Sequence, residues 1–272
     1  MAKVFSFASW NVEALTNTKS SSGTITDFLS ESGPPDVFGI FEVKGSQVFL
    51  DFMSQMPTHQ FFVTEDLGPI EILIGVNRDL RAFLTQRVEF KSQIPTLRPG
   101  ALLTIHTNST FYSLLFLHLK SFAEPRSWGL RDDMMTHVRN LKGALDKAQP
   151  DPEAGARFMA LGDLNTMGMN LPHSDRDEPA SAEIERYQAK MAYGDLRLLP
   201  KTRPATWWNG KEHWAPSDLD HVFASENLSF RKFEGGAEIA VRGWPELDAG
   251  EERRRWIEAH SDHALLYGEV HE

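Results

Sequence analysis

Alternation constrains this chain more than any other feature: from end to end, short strand-like stretches give way to helix-like ones and return. Period-2 or short apolar runs occur at 4–10, 36–41, 60–64, 70–76, 83–90, 101–106, 111–117, 157–161, 219–225, 228–233 and 264–270. Helical patterns fit 24–31, 45–56, 128–148, 181–193 and 246–259. The clearest is 128–148, with apolar Trp128, Met134, Met135, Val138, Leu141, Ala144 and Leu145 and charges elsewhere. In the last, Glu246, Asp248, Glu251 and Glu252 precede Arg253, Arg254 and Arg255, an order that complements a helix dipole. The loops read as 19–23, 32–35, 149–152 and 170–180, none long enough to link domains. About eleven strands with helices among them predict a mixed α/β fold of sheet and helix layers, in a single domain spanning residues 1–272.

Composition removes several classes of protein. With 41% apolar and 24% charged residues the chain reads as soluble and globular, and no window approaches the ~18 uninterrupted apolar residues of a membrane helix. Val4 to Trp10 alternates like a strand and runs into polar Asn11 and Glu13, without the pattern of a signal peptide. A cytoplasmic protein is the expectation, with non-classical export left open. The absence of cysteine eliminates disulfides, thiolate zinc sites and cysteine nucleophiles. A net charge of −10 argues against a broad basic surface for non-specific DNA binding. It leaves room for a local basic groove and suits a site crowded with carboxylates.

The chemistry-bearing residues sit where strands end. They occur as Trp10-Asn11-Val12-Glu13, Phe41-Glu42-Val43-Lys44, Leu117-His118-Leu119-Lys120-Ser121, Gly162-Asp163-Leu164-Asn165, Ser217-Asp218-Leu219-Asp220-His221 and Ser261-Asp262-His263. Residues i and i+2 of an extended chain face the same way, so Asp163 with Asn165, Asn11 with Glu13 and Asp218 with Asp220 are expected to point together. Strand ends that converge on one edge of packed sheets make one site. The inventory of Asn11, Glu42, Asp163, Asp220 and Asp262, with His118 and His263, is rich in hard oxygen donors, which suit Mg²⁺ or Mn²⁺ better than zinc. Such a set fits hydrolysis of a phosphate ester. Taken alone, Gly162-Asp163-Leu164-Asn165 is equally a turn closed by an aspartate, and His118 a satisfied core histidine.

The ordered set WNVE, FEVK, LHLKS, GDLN, DLDHVFAS and SDH resembles the endonuclease/exonuclease/phosphatase superfamily over residues 5 to about 270. That group includes apurinic endonucleases, pancreatic-type deoxyribonucleases, neutral sphingomyelinases and inositol-polyphosphate phosphatases. The resemblance implies an α/β four-layer sandwich: two packed, mostly antiparallel mixed β-sheets flanked by helices. It implies that Asn11, Glu42 and Asp262 bind metal, Asp163 positions or deprotonates the attacking water, and Asn165 contacts phosphate. Asp220 would orient His263, which acts at the phosphate, and His118 would assist the leaving group. There are departures. Glu13 stands where many family nucleases carry aspartate, and His221 where an aromatic is common in the apurinic enzymes. Phe122-Ala123-Glu124-Pro125-Arg126 replaces their tyrosine-bearing segment, so a general nuclease or phosphatase fits better than an apurinic-site specialist.

Lys44, Lys120, Arg126 and Arg131 follow site-forming strands and either grip phosphate or stay solvated. Trp207, with Trp208 and Trp214, either stacks on a base or packs in the sheet. Three functions follow: a Mg²⁺-dependent nuclease with DNA as the favoured partner, a phosphatase or phosphodiesterase of a small or lipid ester, and a catalytically inactive binding protein on the same fold.

Overall fold

The computed structural model describes residues 2–15, 21–31, 33–65, 71–107, 110–248 and 250–272. Positions 19, 20 and 32 of the expected loops, residue 70 of an expected strand and Ala249 within an expected helix lie outside the described residues. The fold is α/β, with two mixed β-sheets and flanking helices. The chain forms two compact units, one of Met1–Ala82, Pro200–Ser217 and Ser229–Glu272, the other of Phe83–Leu199 and Asp218–Leu228.

The first unit holds a seven-stranded sheet. Its strands are β1 (Lys3–Leu15), β2 (Val37–Val43), β3 (His59–Val63), β4 (Glu71–Asn77), β11 (Ser229–Phe230), β12 (Ala240–Arg242) and β13 (Leu265–His271), in the order β11-β13-β1-β2-β4-β3 with β12 also on β13. Helices α1 (Ser22–Ser30), α2 (Ser46–Gln55) and α5 (Gly250–Ala259) belong to the same unit. α1 starts where the Ser21 hydroxyl accepts the Thr24 amide at 3.1 Å, satisfying an orphan N–H. Ile25, Leu29, Val48 and Phe52 from α1 and α2 pack with Trp10, Val12, Phe38 and Ile40 of the sheet. β2 and β4 approach closely because Gly75 faces Phe38: a Cβ there would lie 2.2 Å from the ring.

The second unit holds six strands, β5 (Arg81–Arg87), β6 (Gly100–Thr107), β7 (Thr110–His118), β8 (Arg157–Asp163), β9 (Leu196–Leu198) and β10 (Asp220–Ser225), ordered β5-β6-β7-β8-β10-β9. α3 (Pro125–Lys147) begins with proline at its first turn, where no amide is needed, three residues before the apolar stripe that announces it. Its Met134, Met135, Val138 and Leu141 pack with Leu115, Leu117, Phe158 and Ala160 of the sheet. α4 (Ala180–Ala192) adds Tyr187 and Met191 to the same core. Among the described residues no helix is long and apolar enough to cross a membrane.

Some expectations fail locally. The run 83–90 leaves the sheet at Arg87 and tightens into a 3-10 turn, and 228–233 pairs at only two residues. β9 and β12, three residues each, carry too few positions to show a period. α5 begins at Gly250, so Glu251 and Glu252 occupy its first turn, but no arginine reaches its last.

Arg131 requires a correction. Neither solvated nor available to phosphate, it is completely buried. Its Nε donates to Glu183 Oε1 at 2.7 Å and its Nη2 to Glu183 Oε2 at 2.9 Å. Nη1 donates to the carbonyls of Lys120 and Phe122 at 3.1 and 2.6 Å, and Nη2 also to that of Gly168 at 2.9 Å. These bonds occupy the five N–H groups of a guanidinium. Glu183 also accepts the Tyr187 hydroxyl at 2.6 Å. Burial, with the charge and hydrogen bond of Glu183, pushes that hydroxyl up, so it remains a donor.

Removing one member of such a pair strands a buried charge. Arg131→Met is therefore expected to lower stability by about 3–5 kcal/mol in a urea titration. An Arg131→Met, Glu183→Leu double variant should recover a large part of that loss; equal midpoints for single variant and parent would contradict the buried pair. Asp36 gives a pH-dependent counterpart. Burial pushes its carboxyl up, but the Ser6 amide and hydroxyl and Lys3 outweigh it, leaving it below its ordinary value of 3.8. The contribution is therefore present above that value and lost as pH falls through the lower folded one. Asp36→Ala is expected to cost about 1 kcal/mol at neutral pH, with the difference from the parent vanishing in acid.

Candidate active site

The second unit arranges its expected site residues as a row. β7 and β8 run parallel with His118 opposite Asp163, and β8 and β10 antiparallel with Asp163 opposite Asp220. Registered neighbours share a sheet face at a spacing of ~4.8 Å, so three buried polar side chains stand side by side. His118 Nε2 lies 3.5 Å from Asp163 Oδ2, and a carboxylate oxygen of Asp163 comes within 4.8 Å of one from Asp220. Two buried carboxylates this close repel unless a proton or cation compensates them. Hard oxygen donors at that spacing fit a divalent ion. The sequence reading gave this pair to the water and to the last histidine; their mutual proximity is what the structure adds.

β8 ends at Asp163 because the chain turns there. Asp163 Oδ1 accepts the Asn165 amide N–H at 3.0 Å, and Asn165 adopts a left-handed backbone with φ 50°. The expectation that the two side chains align as neighbours on an extended strand therefore fails at Asn165. They are coupled by a turn closed through the aspartate, which asparagine tolerates better than most residues. Asn165 Nδ2 then donates to the Leu119 carbonyl at 3.2 Å, tying the end of β8 to the end of β7. On the other side, Thr166 Oγ1 lies 2.8 Å from His221 Nε2 and donates to the Asp218 carbonyl. His221, a departure in the sequence, thus ties β10 to the loop after β8. Asp218 lies in the loop before β10, whereas Asp220 is buried at its first position. Burial pushes the Lys120 ammonium down; Glu124 opposes that, and Arg98, Arg131 and Arg126 add to it.

The first unit builds a second set from another parallel pair. Asn11 on β1 registers with Phe41 on β2, and the register slips beyond them. Glu42 occupies the irregularity with φ 65°, and Asn11 Nδ2 donates to Glu42 Oε1 at 3.5 Å. Asn11 Oδ1 accepts the Glu13 amide at 3.0 Å, with Glu13 at φ 50°, closing the same kind of turn that Asp163 closes. Left-handed non-glycine residues cost ~1–3 kcal/mol each and concentrate at functional sites.

Ser261, Asp262 and His263 are held to this set from several directions. Ser261 Oγ donates to the Asn11 carbonyl at 2.7 Å and accepts the His263 amide at 3.1 Å. Trp10 Nε1 donates to the His263 carbonyl at 2.9 Å. Trp207 Nε1 donates to Asp262 Oδ2 at 2.8 Å, and the Trp208 amide to the Asp262 carbonyl at 2.9 Å. Where stacking on a base was one expectation for Trp207, its polar atom holds an acid. Lys44 follows β2, half-buried, its amide on the Leu15 carbonyl. The positioning roles of Ser261 and Thr166 escaped the sequence reading, since each reaches a partner far along the chain and only adjacency to a motif marks it.

Comparisons with known proteins bear on the fold and the family. No curated protein matches the chain. Among solved structures, TDP2 from D. rerio complexed with single strand DNA product aligns at TM-score 0.64 and 16% identity, covering 98% of this chain and 99% of that one. The 3' phosphatase NExo from Neisseria, bound to product DNA hairpin, aligns at 0.67 and 13%, covering 99% and 100%. The mannosyl-6-phosphatase Bt3783 of Bacteroides thetaiotaomicron VPI-5482 aligns at 0.62 and 14%, covering 98% and 100%. Likeness at these identities carries the fold and not the substrate. The model of the Endonuclease/Exonuclease/phosphatase family matches residues 8–263, a span that takes in every residue from Asn11 to His263, and the chain belongs to that family.

Proposed function

We propose that the protein is a divalent-metal-dependent phosphodiesterase that hydrolyses nucleic acid, with DNA the favoured substrate and Mg²⁺ the favoured ion. The observation that supports this best is the buried pair Asp163 and Asp220, within 4.8 Å of each other and flanked by His118. The family model spans both residue sets, which supports reading them as parts of one reaction.

Asn11, Glu42 and Asp262 would hold the ion, which when bound offsets phosphoryl charge. Asp163 orients a water and takes its proton, its carboxylate set in place by the Asn165 amide. Asn165 has two amide donors; one holds the Leu119 carbonyl and the other meets a phosphate oxygen. His263 donates to the phosphoryl oxygens as charge builds on them. His118 stabilises the leaving oxygen, and Lys44 and Lys120 hold neighbouring phosphates. Hydrolysis of a small phosphate ester is the second reading, supported by the net charge of −10.

The test incubates the protein with Mg²⁺ and plasmid DNA, single-stranded DNA, RNA or a generic phosphodiester, with EDTA as control. Metal-dependent cleavage of DNA is expected, falling about 10²–10⁴-fold in Asp163→Ala and in His263→Ala. Turnover of the small ester alone would replace the nuclease reading by the second. Trp207→Phe keeps an aromatic ring but removes the N–H that holds Asp262. Calorimetric titration with Mg²⁺ should then show about 10–100-fold weaker binding than the parent; unchanged affinity would remove Asp262 from the metal set.

A further inference from the structure

Phe122 lies four residues beyond His118 and is 60% exposed. An exposed aromatic alone means little; its backbone is what calls for a reason. Phe122 adopts φ 81°, a left-handed conformation that is an outlier for a bulky side chain and natural for glycine. Both of its backbone groups are held there. Its amide donates to Met167 Sδ at 3.1 Å, and its carbonyl accepts from Arg131 Nη1 at 2.6 Å. The second bond comes from a buried guanidinium fixed by Glu183, which cannot relax to suit the loop. A turn needing only this backbone would be served better by glycine, so the ring itself is the feature being presented.

Its surroundings suit one kind of ligand. Lys120 Nζ sits 4.6 Å from the ring centroid, over one face. Glu124, Arg98 and Arg126 also act on the Lys120 ammonium, so cations and one acid surround the ring. Met167, 37% exposed, adds an apolar surface two residues beyond Asn165. The contact between Phe122 and Met167 joins the loop after β7 to the loop after β8, the strands that carry His118 and Asp163.

We propose that Phe122, with Met167 beside it, is a stacking platform for a nucleobase next to the scissile phosphate, and that Lys120 holds that nucleotide's phosphate. The proposal rests on the nuclease reading for its substrate class. Stacking tolerates any base, so the platform selects single-stranded or frayed nucleic acid without reading its sequence.

The test compares the parent with Phe122→Ala, Phe122→Gly and Phe122→Trp. Glycine suits the left-handed backbone, so loss shared by alanine and glycine, with an unchanged denaturation midpoint, reports the ring and not the fold. One arm measures binding of a fluorescent single-stranded deoxyoligonucleotide in EDTA. A matching strand with base-free residues around its centre serves as the reference. Removing the ring is expected to weaken binding of the base-bearing strand about tenfold relative to the base-free one, with tryptophan restoring it. The other arm measures Mg²⁺-dependent cleavage of the same two strands, where the preference for bases should fall by a similar factor. Cleavage by the parent with equal losses on both strands, or with none, would overturn the platform and leave the nuclease reading standing. Ring-dependent binding without cleavage would uphold stacking on a base but overturn its placement beside a scissile phosphate, together with the nuclease reading. Binding that ignores the ring would overturn the platform whatever the cleavage arm shows.

Discussion

Parallel pairing at the middle of each sheet is the constraint on which each residue set depends. A parallel pair needs a crossover, supplied here by α1 between β1 and β2 and by α3 between β7 and β8. In return both strands end at the same edge. Antiparallel neighbours would send successive C-terminal ends to opposite edges, parting Asn11 from Glu42 and His118 from Asp163. β10 then completes the second row from the other direction, because an antiparallel strand begins where its neighbour ends.

At those edges the backbone leaves regular geometry in similar ways. Asn11 and Asp163 each accept the amide of the residue two positions on, and the chain turns through a left-handed residue. The turn satisfies a backbone donor that the ladder no longer pairs and fixes the side chain that accepts it. Around the second unit's turn, Arg131 reaches the carbonyls of residues 120, 122 and 168. The buried ion pair therefore serves geometry: it pins the loops that follow two site strands. The site combines polar groups that are costly to bury with a surrounding shell of bonds that prevents their relaxing.

Periodicity made the long elements legible. The stripe from Trp128 to Leu145 predicted a helix at 128–148, and α3 runs from Pro125 to Lys147. Short elements were not legible, since three residues such as Leu196 to Leu198 show no period and exist only through pairing with β10. Among the candidate site residues, their placement at strand ends was readable because polar residues interrupt apolar runs there. Arg131 was misread for the same reason: a cation just beyond a site strand looks solvated until Glu183, 52 residues away, is seen to bury it. Trp207 differs in that a tryptophan before a polar strand shows an aromatic, but not the acid its N–H will meet.

By itself, then, the sequence determined the alternation of strands and helices, the class of fold and the oxygen-rich chemistry delivered at strand ends. These are properties of residue type and local spacing, which the chain carries before it folds. Only the tertiary structure decided which carboxylates face each other, which cation is buried, which tryptophan steadies Asp262 and which aromatic is held outward. Those choices depend on strand register and on hydrogen bonds between residues far apart in the chain. A one-residue slip in pairing would part His118, Asp163 and Asp220 while leaving the pattern of the sequence unchanged.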